Sequence, residues 1–429
     1  MRTKHVLFRS LIVAALLPAW VPVMAADACT STQLVLGDAT WYMLEHNPQI
    51  DQARSLLAGA NADQVTAGER PNPTLSFNST AYNTHSGLGS GGPWQKKVDS
   101  VLRLDQPIER GGKRGLRLDA AAAGKDAAEM DFRDLIRQLR ANMAGAYYDL
   151  LLAQQRVAVD DKLAELQHQT EEAATVRLNA GDIAESDLIR IRVESSRADN
   201  ELQGAIGDLD AARIALSSLL GCDDQAAPSA AEVWPNPDAE PRLTSAVDIH
   251  RRPDVEAAHA RAKQSQILAN LAEAQRTRDI TVGLQYEHYP SDGQELLGAG
   301  FSIPLFLLNN SGGEIARAHA DVDLATDSAR LAIAQAQADA AKARAALQHT
   351  AQRAQRAEQN LLPLSEKAAA VIDFSYAHGA ASVIDLLDAH RTLHAAQLEV
   401  LETKADYAKA LAAWQAAENL PETFEPASP

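Results

Sequence analysis

A unit of about 200 residues occurs twice between Asn47 and Asn419, so the chain must fold into an object that repeats itself internally. Near the start of each copy, Asn47-Pro48-Gln49-Ile50-Asp51 answers Arg252-Pro253-Asp254-Val255-Glu256. Near the end, Gly181 with Asp187-Leu188 answers Gly379 with Asp385-Leu386. The offset between copies barely drifts, and the order of segments is kept. Each copy reads as a short helix, two alternating segments and a very long helical hairpin. Units of this length exclude a solenoid, whose repeats run roughly 20 to 50 residues.

The hairpins announce themselves by what they lack. About 120 residues between Pro107 and Pro228 contain no proline, and the matching stretch after Pro304 contains only Pro363 before Pro421. Proline costs about 3 kcal/mol inside a helix, so its absence over such lengths marks helix. Phe132, Leu135, Ile136, Leu139, Met143, Tyr147 and Leu150 recur at three- and four-residue steps, the spacing of one helix face. The run from Leu116 to Leu178 would extend about 95 Å if continuous. Pro363, within Leu361-Leu362-Pro363-Leu364, is expected to kink or break the second run. Each hairpin turns at a glycine, at Asn179-Ala180-Gly181-Asp182 and Ala377-His378-Gly379-Ala380, because glycine most easily takes the left-handed geometry that ends a helix. Return helices then run from about Ala184 to Leu220 and from Ser382 to Ala417.

Ahead of each hairpin the period changes to two. Ile280, Val282, Leu284 and Tyr286 alternate with Thr281, Gly283, Gln285 and Glu287, and Leu297, Ala299, Phe301 and Ile303 alternate with Gly298, Gly300 and Ser302. In the first copy Leu75 and Phe77 alternate with Ser76 and Asn78, and Leu102 and Leu104 with Arg103 and Asp105. One face is apolar and the other polar or small, the pattern of strands with two different surroundings. Strands of roughly ten residues with one apolar face fit an outer-membrane barrel, yet barrels need at least about eight strands. Four strands per chain therefore require several chains to close. The domains expected are a signal peptide at 1–25, a tail at 26–37, a first repeat at 38–221 and a linker at 222–242. A second repeat at 243–420 and a C-terminal tail at 421–429 follow. Within the repeats lie strand pairs at 73–108 and 280–306 and hairpins at 115–220 and 313–417.

The leader has a basic start, Met1-Arg2-Thr3-Lys4-His5, an apolar run from Ser10 to Val23, and small residues around Ala25. These are the marks of secretion. No stretch has the roughly 20 apolar residues of a spanning helix, so any membrane crossing is made by strands. The formal charge of −17 becomes more negative without the leader's Arg2, Lys4 and Arg9, which argues against nucleic acid as a partner. Cys29 and Cys222 are the only cysteines. In an oxidising compartment they form a candidate disulfide tying the tail to the end of the first repeat; a lipidated Cys29 and a free thiol are the alternatives.

In these features the chain resembles the TolC-like outer-membrane factors, the exit ducts of tripartite efflux and secretion systems. The resemblance spans about Leu36 to Asn419 and is most specific at Tyr376-Ala377-His378-Gly379-Ala380-Ala381-Ser382-Val383-Ile384-Asp385-Leu386-Leu387-Asp388-Ala389. Its first-repeat counterpart runs from Arg177 to Leu188. The resemblance implies a mainly α protomer with a membrane β-barrel. Three copies would each give four strands to a twelve-stranded barrel above a long periplasmic helical barrel. It implies that Asn179, Ala180, Gly181, Asp182, His378, Gly379 and Ala380 form the tip where a periplasmic adaptor docks. Asp385 and Asp388 would ring the pore constriction, and Tyr376 and Asp187 would latch the closed tip. Ala381 stands where some members have a latch arginine. The implied partners are two further copies, the adaptor, an inner-membrane resistance-nodulation-division pump and outer-membrane lipid. Within the family the chain looks most like the subgroup serving such pumps, including the CzcC-like factors for divalent metal cations. Heavy-metal export is the expected cargo, with multidrug export as the alternative.

Two other classes compete with a duct. No nucleophile–base pair, phosphate loop or Cys-x-x-Cys is recognisable, so no enzyme activity and no cofactor are expected. His390 and His394 have the i, i+4 spacing of metal ligands, but without a third ligand they read as a solvated helix face. A non-channel periplasmic adaptor or spacer is the remaining rival, and it would have no use for apolar alternating strands.

Overall fold

The computed structural model describes residues 29, 33–80, 85, 87–92, 95–222, 227–231, 233–238, 248–290 and 293–420. The expected signal peptide, half of the N-terminal tail and the C-terminal tail lie outside the described residues. The elements are α1 (Leu36–His46), α2 (Pro48–Gly68), β1 (Thr74–Thr80), β2 (Asp99–Ile108), α3 (Lys113–Ala180) and α4 (Glu185–Leu220) in the first copy. The second has α5 (Pro253–Ala274), β3 (Ile280–Tyr289), β4 (Gln294–Ser302), α6 (Gly312–Arg356), α7 (Leu362–Ala377) and α8 (Val383–Ala417). At 68 residues, α3 is about 100 Å long.

The single short helix expected at the start of the first copy is two helices, because Asn47-Pro48 interrupts it. Proline disfavours helical geometry at the residue before it, and Asn47 is extended. Its Oδ1 caps α2 by accepting from the Gln49 amide at 2.8 Å, and its Nδ2 donates to the Leu219 carbonyl at 2.7 Å. Arg252, before Pro253, makes the matching long-range bond in the second copy, without capping α5. Its Nη1 donates to the Ala417 carbonyl at 3.5 Å while the guanidinium grips Asp254. Each repeat thus closes on itself, with its opening residue satisfying a carbonyl in the last turn of its return helix, where intrahelical donors run out.

The strands form one antiparallel sheet in the order β1-β2-β3-β4. Its register assembles the alternation seen in sequence into rows. Leu75, Leu104, Leu284 and Ala299 lie side by side, as do Phe77, Leu102, Tyr286 and Leu297. The opposite face carries Ser76, Arg103, Gln285 and Gly298 in one row and Asp105, Gly283 and Gly300 in the next. Arg103 donates to Asp105 at 2.8 Å there. A side chain at Gly283 would occupy the space of the Asp105 carboxylate. Leu75, Phe77, Leu284, Leu297 and Phe301 are all exposed. Among the described residues no helix is long and apolar enough to cross a membrane.

The largest core lies at the waist of the hairpins. There Leu36, Ala39 and Met43 of α1 meet Leu139, Met143, Tyr147 and Leu151 of α3 and Leu216 and Leu220 of α4. The linker binds across this region. Gln154 exchanges two hydrogen bonds with the backbone of Ala230, and Tyr147 donates to the Ala231 carbonyl at 3.0 Å. Burial pushes the Tyr147 phenol up to about 12. Cys29 and Cys222 are joined by a disulfide beside this belt. Gly221 permits it locally: its φ is 79° and a Cβ there would meet the His46 carbonyl.

Pro363 does not stop the second long run. A five-residue π-helical segment, Ala357–Leu361, connects α6 to α7, and Pro363 sits in the first turn of α7. A widened turn is a known way to absorb a missing amide donor without ending a helix.

Candidate functional site at the helical tip

The two hairpin turns have the same construction. The Gly181 amide donates to the Leu178 carbonyl at 2.9 Å and Asp182 to Arg177 at 2.9 Å; Gly379 donates to Tyr376 at 3.1 Å and Ala380 to Ser375 at 2.8 Å. Both glycines are left-handed, with φ of 83° and 76°, which is how a helix end satisfies its last carbonyls. The turns sit side by side on a small apolar cluster of Ala174, Leu188, Ile191, Val383 and Leu387, with Leu178, Ile183 and Tyr376 packed against it. An open cleft of about 560 Å³ lies between them, lined by Arg177, Asp182, Asp187, Tyr376, Ser382 and Ile384.

Asn179, Ala180, Gly181, Asp182, His378, Gly379 and Ala380 are exposed at the apices. His378 is held locally: its Nδ1 lies 2.8 Å from the Phe374 carbonyl and its ring packs on Phe374. Tyr376 and Asp187 share the cleft without touching through a hydrogen bond. The guanidinium of Arg177 instead lies 5.1 Å from the centre of the Tyr376 ring.

Asp385 and Asp388 are exposed near the start of α8, three residues apart and so on the same face. Asp385 also caps the helix. Its Oδ2 accepts from the Ser382 amide at 3.0 Å and hydroxyl at 2.7 Å, while its own amide donates to Ser382 Oγ at 3.2 Å. The Ser382 hydroxyl bond is the chief reason its carboxyl is held below the usual range. Capping and an outward-facing charge coexist in this residue, because the capping box uses one oxygen.

A bridge between the two return helices is invisible to periodicity and motif. Glu194 on α4 accepts two hydrogen bonds from Arg391 on α8, one of 2.9 Å from Nε, and a third from Arg197 at 2.9 Å. Its side chain is only 11% exposed. The Arg391 hydrogen bonds hold its carboxyl below the ordinary value of 4.5. Glu194 and Arg391 occupy nearly equivalent positions in the two return helices. The signal available in sequence was an opposite charge one residue short of the repeat's own offset.

His390 and His394 do not lie on the solvated face that their spacing suggests. His390 is 4% exposed, with Nε2 2.7 Å from Asp373 Oδ1 on α7; His394 Nε2 lies 2.7 Å from Asp160 Oδ1 on α3. The face is covered because α8 packs between α3 and α7. The two rings reach different helices, and no group of three or more metal-ligating side chains occurs among the described residues.

Comparison with known proteins agrees with this architecture. The chain is 28% identical to the cobalt-zinc-cadmium resistance protein CzcC of Cupriavidus metallidurans, over 70% of this chain and 72% of that protein. It is 24% identical to the pyoverdine export outer membrane protein OpmQ of Pseudomonas putida, over 89% of each. The crystal structure of the outer membrane protein VceC of Vibrio cholerae superposes with a TM-score of 0.75, covering 89% of this chain and 95% of that one at 21% identity. Residues 42–222 and 248–419, which take in nearly all of both repeats, match the outer membrane efflux protein family, and the chain belongs to that family.

Proposed function

We propose that the chain is the exit duct of a tripartite efflux system: a homotrimer in the outer membrane, opened at its periplasmic tip by an adaptor and driven by an inner-membrane pump. The observation that carries this is the unfinished sheet. Among the described residues its two outer strands, β1 and β4, each keep one unpaired edge, and its apolar face is exposed. Lipid does not tolerate open edges, and only closed barrels of strands span membranes. Pairing β1 of one copy with β4 of the next, three times over, satisfies every edge and places the apolar rows outward. The duct itself is passive; the work is done by the pump.

At the other end, Asp385 and Asp388 of three copies form two rings of carboxylates around the constriction. Tyr376 and Asp187 latch the closed state between neighbouring hairpins. The exposed turn residues dock the adaptor. Rings of acids held close favour cations, and the similarity to a cobalt-zinc-cadmium resistance protein supports divalent metal cations as cargo. The second reading, export of small organic molecules, is favoured by the likeness to a pyoverdine exporter along nearly the whole chain.

Light scattering and electron microscopy of the detergent-solubilised protein should give a trimeric tube; a water-soluble monomer would overturn the duct. Replacing Asp385 and Asp388 together by Asn should weaken cation preference and blockade by multivalent cations in planar bilayers. Unchanged selectivity would remove the two acids from the constriction. Cells lacking the gene should become sensitive to cobalt, zinc or cadmium salts; sensitivity confined to organic compounds would favour the second cargo.

A further inference from the structure

The two copies differ sharply where the sheet hands over to the long helices. In the first copy, the junction after β2 is polar: Glu109 pairs with Arg117, and Lys113 reaches Asp279 at 2.9 Å. In the second, the junction after β4 reads Ile303-Pro304-Leu305-Phe306-Leu307-Leu308-Asn309-Asn310. Leu305 is exposed, Leu307 is 81% exposed and Leu308 is fully exposed.

The base of this loop is firmly built. The Asn309 and Asn310 side chains accept from the amides of Ser311 and Gly312 at 2.8 and 3.1 Å, at the start of α6. Arg276 donates to the Asn310 carbonyl at 3.4 Å. The Leu307 amide bonds the Leu305 carbonyl at 3.0 Å, making a tight turn that presents the two leucines. The Arg278 guanidinium lies 5.7 Å from the Phe306 ring centre and makes no ion pair among the described residues. A pinned turn projecting consecutive leucines into water is unfavourable by roughly 25 cal/mol for each Å² of apolar surface left wet, so something covers it.

We propose that Leu305, Leu307 and Leu308 insert into the inner leaflet of the outer membrane, with Arg276 and Arg278 at the depth of the lipid phosphates. The loop continues the apolar face of β4, where Leu297 and Phe301 are exposed, at the end of the sheet from which the helices leave. Apolar residues beside arginines match the two layers of a bilayer interface. In a trimer the turn recurs three times, as a collar that sets the depth of the barrel. This inference rests on the outer-membrane placement proposed above.

The test places an environment-sensitive fluorophore at single introduced cysteines, the native pair being engaged in the disulfide. Leu308→Cys is the probe, Leu297→Cys on the strand face is the lipid reference, and Glu172→Cys, exposed far along α3, is the aqueous reference. Each labelled protein is reconstituted in phosphatidylethanolamine–phosphatidylglycerol vesicles and quenched by nitroxide-labelled lipid or by aqueous iodide. The expected result is lipid quenching at Leu308→Cys comparable to Leu297→Cys and several-fold stronger than at Glu172→Cys. Lipid quenching at Leu297→Cys without quenching at Leu308→Cys overturns the collar alone. Iodide access would then mean a solvated loop, and protection from both quenchers a loop covered by a neighbouring copy. If Leu297→Cys itself escapes the lipid quencher, the membrane placement fails and the collar with it.

Discussion

In the duct proposed above, breaking the Glu194–Arg391 pair should loosen the closed tip. The carboxylate is nearly buried and takes three charge-assisted hydrogen bonds, two from Arg391 and one from Arg197. Such bonds contribute roughly 1.5–3 kcal/mol when well shielded. Because Arg391 is half-exposed, solvent screening reduces the coupling to about 1 kcal/mol, about fivefold in an equilibrium constant. If opening separates α4 from α8 at the tip, Arg391→Gln and Glu194→Gln should each raise the open-to-closed ratio about that much. The double variant should do little more than either alone. Single-channel recording in planar bilayers reads the ratio directly. Additivity of the two substitutions within about 0.3 kcal/mol would refute the coupling, as would an unchanged ratio in both. The pH dependence follows from the depressed carboxyl. Stabilisation from Glu194 is fully present above the ordinary value of 4.5 and is lost as pH falls through its lower folded-state value. Its contribution to closure should therefore be flat from about pH 8 to about pH 5 and fade below that.

Two further outcomes are expected. The Cys29–Cys222 bond closes a loop across a sequence separation of 193 residues, so Cys222→Ser should lower stability by about 2–4 kcal/mol. A denaturation midpoint that does not respond to the substitution or to reductant would contradict that. At Gly181 and Gly379 a Cβ would point into open space, with no neighbouring group within 4 Å, so valine there meets only backbone strain, about 1–3 kcal/mol. Faster amide hydrogen exchange confined to the tip should result; loss of protection at the waist would show that the turns do more than end helices.

Much of the architecture is legible in the sequence because it rests on period and composition. Period-two alternation at Leu102–Leu104 and Leu284–Tyr286 specifies a two-faced sheet whatever its partners, and proline-free alanine-rich runs specify long helices. The turn glycines are legible for a similarly local reason, since a helix ending in left-handed geometry has few substitutes. Asn47 shows in sequence only as a repeat marker, because its bond to the Leu219 carbonyl joins residues 172 apart in the chain. His390 and His394 mislead on the same ground. Spacing places both on one face, but only the packing of α8 between α3 and α7 determines that the face is buried and that each ring meets a carboxylate.

By itself, then, the sequence determined the duplicated plan, the class of every major segment and the positions of the hairpin turns. These depend on interactions within a few residues, which periodicity and backbone preference report. Tertiary structure decided the order of the four strands, the belt formed by the linker and α1, the Glu194–Arg391 bridge and the outward turn of Leu307 and Leu308. Each of these depends on which surfaces meet across separations of tens to hundreds of residues, and burial, which sets the strength of a charge or the cost of an exposed leucine, exists only once those surfaces have met.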